Sequence, residues 1–341
     1  MIVFVSNHGT KIGKRGERIT VTSYATDEKN EYPAMKIAEI VVEANCSIST
    51  QALKLLARHG VPVLFIGNHR PYGIFHPYVS HGTILTRKEQ LTAYHDQRGT
   101  KAAISFAKAA IQNKAFLLRS LARNRKDTQP ELAQSLEKSY ETIIELAGQV
   151  ENYKGHVDMI RNALMGIEGK ATDYYFERLK ELIPNEFRFN NRNRRPPQDP
   201  VNSLLSYGYS VLNTRVLCYV ILAGLDPFGG FLHADRSGKP SLTLDIIEEF
   251  RQPIVDRTVL KIVTRRMVDP EKDFETKNGM CFMSQHAKTV LLEALFERFE
   301  TPIRYQDKNM KFENVIFKQT RQLSAFFMHR ISEYTPFIPG W

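Results

Sequence analysis

Four acidic and imidazole side chains between residues 168 and 248 stand out by type and spacing. Glu168 lies between Gly166 and Gly169 inside a run that otherwise favours helix. Glycine costs about 1 kcal/mol relative to alanine in a helix, so close backbone approach by a neighbour or ligand is the reason read for it. His233 follows the apolar, glycine-rich loop PFGGFLH and precedes a polar turn. In SLTLDIIEEFR, Leu244, Ile247 and Phe250 recur every third residue, which puts Asp245, Glu248 and Glu249 on another face. Asp245 and Glu248 are one helical turn apart, and like charges there repel unless cations sit between them. An acidic face is usually solvated, but Arg251 and the histidine loop flank this one closely. Two carboxylates and one imidazole form a hard oxygen and nitrogen donor set suited to Mg²⁺ or Mn²⁺. Such an ion serves as a Lewis acid on a phosphodiester. Zinc is disfavoured, because no cysteine or second histidine lies at ligand spacing.

Polar and basic side chains extend this set. A helix is expected from Pro200, with Asp199 as its N-cap and proline in its first turn. On it Asn202, Ser206, Tyr209 and Asn213 form a stripe opposite Leu204, Leu205, Val211 and Leu212. Small amides and hydroxyls suit a face packed near an active site better than an open solvent face. Arg257, Lys261 and Arg265 are spaced by four and line one helix face, a candidate phosphate track with Arg266. Arg188, Arg192, Arg194 and Arg195 fall in residues 184–200, where four prolines prevent a packed helix. They read as a flexible arm following a DNA backbone. Arg236 and Arg251 each come three residues after a candidate ligand, a position that suits phosphate clamping.

The elements that must position these residues fall into two groups. Residues 2–5, 19–22, 36–42, 61–66 and 72–76 read as strands, with a helix over 47–59 closed by Gly60. After Gly82 long helical stretches follow: 86–126 with a break at Arg98-Gly99, then 131–150 and 157–183. The expected class is α+β, a small N-terminal β-rich domain (1–82) before a larger all-helical catalytic domain (83–341) carrying the metal site. The 341 residues, 42% hydrophobic and 25% charged, exclude collagen, a disulfide mini-protein and an acidic disordered chain. The longest apolar stretch, near 216–223, falls short of the ~20 residues of a membrane span. The start lacks the basic region and cleavage site of a signal peptide, and three scattered cysteines read as reduced thiols. A cytoplasmic protein with no membrane association is expected. Its net charge of +10 favours a polyanionic partner. No GxxxxGK[ST] nucleotide loop appears.

Taken in order, GIEGKATDYYF, NRNRRPPQDPVNSLLSYGYSVL, GLDPFGGFLH and SLTLDIIEEFRQPIVD resemble the CRISPR-associated spacer integrases, the metal-dependent adaptation nucleases of prokaryotic immunity. The resemblance implies Mg²⁺ or Mn²⁺ held by Glu168, His233 and Glu248, with Asp245 an adjacent fourth acid of the catalytic set. The family carries aspartate or glutamate at the last position, which leaves the direct contact open between Asp245 and Glu248. It also implies the reaction: a 3′-hydroxyl of a short foreign DNA attacks a phosphodiester of a repeat array, and no nucleotide cofactor is consumed. The implied partners are double-stranded DNA, a second copy of the chain joined through the N-terminal domain, and a small ferredoxin-like adaptation protein. Two rival readings stand beside this one, a structure-specific endonuclease on branched DNA and a non-catalytic basic DNA-binding scaffold. Because His233 and Glu248 lie in polar, glycine-flanked sequence, truncating either is expected to leave the fold intact.

Overall fold

The computed structural model describes all residues except 1, 6, 25–27, 38, 43, 68–69, 78–82, 194–195 and 340–341. The chain divides into two compact units, Met1–Thr83 and Ile84–Trp341. The α+β class expected from the sequence holds.

In the first unit, valine and isoleucine runs build two four-stranded sheets. One orders β1 (Ile2–Val5), β5 (Glu39–Val42), β7 (Val63–Gly67) and β8 (Arg70–Phe75), with β1, β5 and β7 parallel and β8 antiparallel. All four residues of β5 are buried, Glu39 together with the apolar run Ile40–Val42, as apolar runs are in parallel strands covered on both faces. The other sheet orders β4 (Glu28–Pro33), β3 (Arg18–Ser23), β2 (Thr10–Arg15) and β6 (Cys46–Ile48). The expected strand over 36–42 is shorter at its start, since a 3₁₀ turn, Ala34–Lys36, precedes β5. Helix α1 (Thr50–Arg58) begins where the Ser49 hydroxyl accepts the Ala52 N–H at 3.2 Å. It packs Ala52, Leu55 and Leu56 into this unit's core.

Among its described residues the second unit is helical apart from two short hairpins, so it is not the all-helical domain expected from the sequence. Its long elements are α2 (Thr83–Ala93), α3 (Gln97–Arg123), α4 (Pro130–Val150), α5 (Val157–Leu182) and α6 (Pro200–Leu222). The break expected at Arg98-Gly99 falls three residues earlier. Asp96 caps α3 by accepting the Arg98 N–H at 2.8 Å, so both residues are already helical. Asp199 caps α6 as its spacing predicts, accepting the Asn202 N–H at 2.9 Å. Helix α7 (Ser241–Ile247) leads through a π-helical segment, Arg251–Asp256, into α8 (Arg257–Thr264). The hairpin of β9 (Phe274–Lys277) and β10 (Met280–Met283) follows, then α9 (Gln285–Glu300), the hairpin of β11 (Pro302–Tyr305) and β12 (Lys308–Lys311), and α10 (Phe312–Phe327). Phe106, Tyr175, Phe250, Phe312 and Phe327 are fully buried in one core that binds these helices together. Among the described residues, no helix is long and apolar enough to cross a membrane.

Candidate active site

Between α6 and α7 the chain makes the loop that carries His233. A Cβ on Gly230 would lie 2.5 Å from Ser241 Cβ and 2.9 Å from the His233 carbonyl oxygen, so glycine lets this loop fold onto the start of α7. Asp245, fully buried within α7, then gathers it. Its Oδ2 accepts the N–H groups of Phe231 (2.6 Å) and Leu232 (3.1 Å), and its Oδ1 that of His233 (2.7 Å). The same Oδ1 lies 2.8 Å from His233 Nδ1. A carboxylate only accepts, so Nδ1 carries the proton and Nε2 of the neutral ring keeps its lone pair for another partner. From α5, Arg161 Nε donates to the Phe231 carbonyl at 3.1 Å and fixes the loop's other side. Both Asp245 oxygens are thus committed to the loop.

Glu168 sits in the middle of an unbroken α5. Lys114, on α3 and 3% exposed, donates from Nζ to Glu168 Oε1 at 2.7 Å and to the Ala110 carbonyl at 3.0 Å. The Thr172 hydroxyl donates to the same Oε1 at 2.8 Å. Burial alone would raise this carboxyl. The Lys114 charge and hydrogen bond, the Thr172 hydroxyl and the Arg251 charge overcome that and hold it at about 2. Among the described residues, and apart from the adjoining backbone of α5 itself, no atom lies within 4 Å of a Cβ added to Gly166 or Gly169. The close approach expected at these glycines is therefore not made by another of the described elements.

Glu248 and Glu249 follow α7 directly, and with Asp245 they are almost wholly buried rather than forming a solvated face. Glu248 Oε1 lies 2.7 Å from Arg251 Nη1, while its buried Oε2 has no hydrogen-bond partner among the described residues. Burial would weaken the Arg251 charge, but Glu248, Tyr209, Glu168 and Asp256 together strengthen it. Both candidate carboxylates therefore act on one guanidinium. Arg251 opens the π segment, a wide turn that recurs at functional sites. Glu249 points elsewhere: Tyr334 Oη donates to its Oε1 and the Phe337 N–H to its Oε2 at 2.7 Å.

The polar stripe of α6 faces this cluster. Tyr209 Oη donates to Asp256 Oδ1 at 2.5 Å, and Tyr175 Oη donates to Oδ2 at 2.7 Å. Burial raises Asp256 against the opposing effect of both phenols. The guanidinium carbons of Arg251 and Arg192 lie 5.2 Å and 5.5 Å from the Tyr209 ring centre. Arg192 donates to Asn202 Oδ1 at 2.6 Å and to Ser206 Oγ at 3.0 Å. It is packed against α6 rather than carried on a loose arm, because the stripe's amide and hydroxyl acceptors capture it. Arg194 and Arg195 lie outside the described residues. Arg236 is exposed in the turn after His233. Arg257, Lys261 and Arg265 line a separate cleft.

Among the described residues, no three acidic, imidazole or thiol groups stand close enough together to hold a metal ion as placed. Each expected ligand instead faces a protein partner: Glu168 with Lys114, Glu248 with Arg251, His233 with Asp245. The donor chemistry still fits a hard divalent cation. One buried carboxylate oxygen of Glu248 is without a partner, His233 Nε2 is left for a partner beyond Asp245, and Glu168 is held ionised. Sequence reasoning missed Lys114 and Asp256. A signal existed for the first: Asn113-Lys114 interrupts the Ala, Ile, Phe and Leu positions that α3 buries.

Known proteins resemble the chain over most of its length. The family model described as CRISPR associated protein Cas1 matches residues 3–297. A CRISPR-associated endonuclease Cas1 of Archaeoglobus fulgidus is 38% identical, the match covering 89% of this chain and 90% of that protein. Another from Thermus thermophilus is 31% identical over 98% and 96% of the two chains. Among solved structures, a casposase bound to integration product superposes with a TM-score of 0.79 at 22% identity, over 98% of this chain and 93% of that one. A Cas1 protein from Thermotoga maritima gives 0.74 at 23% identity, over 96% and 97%. With most of its length matched, and with the glutamate, histidine and acidic strings in the order described, the chain belongs to the Cas1 family of CRISPR-associated proteins.

Proposed function

We propose that the chain is a divalent-metal-dependent DNA endonuclease and integrase, which inserts short foreign DNA into a CRISPR repeat array. The observation that carries this reading is the buried cluster around Glu248. An acid with one oxygen lacking a partner among the described residues pairs with Arg251, whose charge Glu168 also strengthens, while Lys114 holds Glu168, and Asp245, one helical turn before Glu248, fixes the tautomer of His233. Names of relatives agree with it: those cited are endonucleases, one structural neighbour is a casposase with its integration product, and another is a Cas6-RT-Cas1–Cas2 complex. Glu168, His233 and Glu248 would hold Mg²⁺ or Mn²⁺. When bound, the ion supplies Lewis-acid polarisation of the phosphodiester.

The rest follows from the chain's own groups. Asp245 and Arg161 hold the His233 loop, so the imidazole presents Nε2 in one orientation. Lys114 and Arg251 keep two positive charges in the same buried cluster, where charge growing on the phosphate is stabilised more strongly than in water. In the reaction the 3′-oxygen of the incoming strand bonds to phosphorus, the repeat's P–O bond breaks, and the released oxygen takes a proton. One phosphodiester replaces another, so no nucleotide is consumed. Double-stranded DNA is the substrate, a second copy joins through the first unit, and a small ferredoxin-like protein bridges dimers.

A labelled duplex incubated with a supercoiled repeat plasmid tests the reading. Joined product is expected with Mn²⁺ or Mg²⁺ and none in EDTA. Joining that survives exhaustive chelation removes the metal. Cutting without joining leaves an endonuclease of branched DNA, and binding without turnover leaves a scaffold.

A further inference from the structure

The loop that carries His233 is gripped at its far end as well. Helix α2 turns Thr86, Gln90 and Ala93 inward, each about one turn from the next. An amide on the buried face of a helix is costly unless its polar atoms find partners. Gln90 is 1% exposed, and all of its polar groups are used. Its Oε1 accepts the Asp226 N–H at 2.8 Å, and its Nε2 donates to the Asp226 and Gly229 carbonyls, each at 2.9 Å. The acceptor meets the loop's donor and both amide protons meet its acceptors, which only one orientation of a carboxamide allows. Methionine would fill the same space and answer none of the three groups.

Inside that grip the backbone has little freedom. The Asp226 carboxylate accepts the Phe228 N–H at 2.8 Å, and the Leu242 N–H donates to the Pro227 carbonyl at 3.0 Å. A Cβ on Gly229 would lie 3.2 Å from Gln90 Nε2, so glycine lets the amide close on the chain. His233 follows four residues later, with its N–H and its Nδ1 both at Asp245 Oδ1. Asp245 thus fixes residues 231–233 from α7, and Gln90 fixes residues 226–229 from α2. A loop held at one end pivots about it. Held at both, it gives the imidazole one place as well as one tautomer.

We propose that Gln90 is a positioning residue for His233: by holding residues 226–229 against α2 it sets where Nε2 stands, and so how the imidazole meets a divalent cation. The proposal rests on the metal-dependent reading above and deepens it. Gln90 acts through backbone four to seven residues before His233, so its part is separate from the choice of tautomer that Asp245 makes. The contact joins groups 136 and 139 positions apart in sequence, which is why no spacing in the chain announces it.

The test is a double-mutant cycle on the full chain: wild type, Gln90→Met, His233→Ala and the two together. Each is titrated with Mn²⁺ alone and read by the electron paramagnetic resonance of the free ion, with thermal midpoints in EDTA showing that it is folded at the assay temperature. Gln90→Met is expected to weaken Mn²⁺ binding about 10-fold, the scale of losing an outer partner of a metal ligand. In the His233→Ala background the same change is expected to do nothing further, because no imidazole is left to place. Unchanged affinity in Gln90→Met overturns the proposal. So does a loss of equal size in both backgrounds, which would make Gln90 a packing residue. If Gln90→Met does not fold, Gln90→Asn, whose amide stops one methylene short of the loop, replaces it with the same expected outcomes. Wild-type protein that neither binds Mn²⁺ nor joins DNA overturns the functional reading and this proposal with it, whereas failure of the proposal alone needs a wild type that does both.

Discussion

His233 Nδ1 and Asp245 Oδ1 stand 2.8 Å apart, and the same two Asp245 oxygens also accept the backbone N–H groups of residues 231–233. In the proposed site Asp245 would therefore act through the loop it holds. Asp245→Asn turns an amide nitrogen toward donors that need an acceptor. Each buried donor left unsatisfied costs about 1–3 kcal/mol. The thermal midpoint is expected to drop, by about 2–4 °C per kcal/mol, together with activity, and excess Mn²⁺ restores neither. Restoration by Mn²⁺ would make Asp245 a direct ligand.

Lys114 and a metal ion compete for the same carboxylate in the proposed site. Lys114→Met leaves the half-buried Glu168 without its main counter-charge, so the thermal midpoint in metal-free buffer is expected to fall. Because a ligand stabilises the state that binds it, Mn²⁺ is expected to raise the midpoint of Lys114→Met more than that of the wild type. Equal increments in differential scanning would separate Lys114 from the metal site.

Glu249 makes stability depend on pH. Burial is the largest influence on this carboxyl and raises it to about 8, against the hydrogen bonds from Phe337 and Tyr334. The folded chain then keeps a proton that the unfolded chain releases above its ordinary value of 4.5. Stability is expected to fall as pH rises from about 4.5 to about 8 and to level off beyond. Glu168 works oppositely: held at about 2 when folded, it gives stability that is lost as pH falls from 4.5 toward 2. Midpoints of wild type and Glu249→Gln from pH 5 to 9 check the first slope, which glutamine should flatten. A parallel slope in the variant would mean that Glu249 is ionised in the fold.

How far the sequence spoke depended on how local each feature was. The Asp199 cap and five strands of the first unit, β1, β3, β5, β7 and β8, were legible because they rest on neighbours a few residues away, whereas β2, β4 and β6, with few apolar residues, were not. The acids of α7 and the histidine loop were legible as types, but their partners were not. Lys114 meets Glu168 across 54 positions and Tyr175 meets Asp256 across 81, distances no periodicity spans. The β9–β10 hairpin did carry a readable signal, Asn278-Gly279, with both residues at positive φ. The β11–β12 turn, Gln306-Asp307, adopts the same sign of φ without glycine and offers no such cue.

The same distinction changes which substitutions separate chemistry from folding. Truncating Glu248 was expected to spare the fold, yet Glu248 is 3% exposed and is the carboxylate on Arg251. Glu248→Ala would leave that guanidinium buried without its counter-charge, so lost activity and lost stability would arrive together. Glu248→Gln keeps the volume and one oxygen for Arg251 while removing the anionic donor. His233→Ala gives up one hydrogen bond, while Asp245 still holds the loop through three backbone N–H groups. Both variants are expected to fold near the wild-type midpoint in EDTA and to bind duplex DNA with near-native affinity. Joining in Mn²⁺ should fall at least ~100-fold, the scale of losing one stabiliser that acts in the transition state. Charge matters here more than shape, so Glu248→Asp is expected to recover part of the rate that glutamine loses. Wild-type joining by either Glu248→Gln or His233→Ala at saturating Mn²⁺ would remove that residue from the catalytic set.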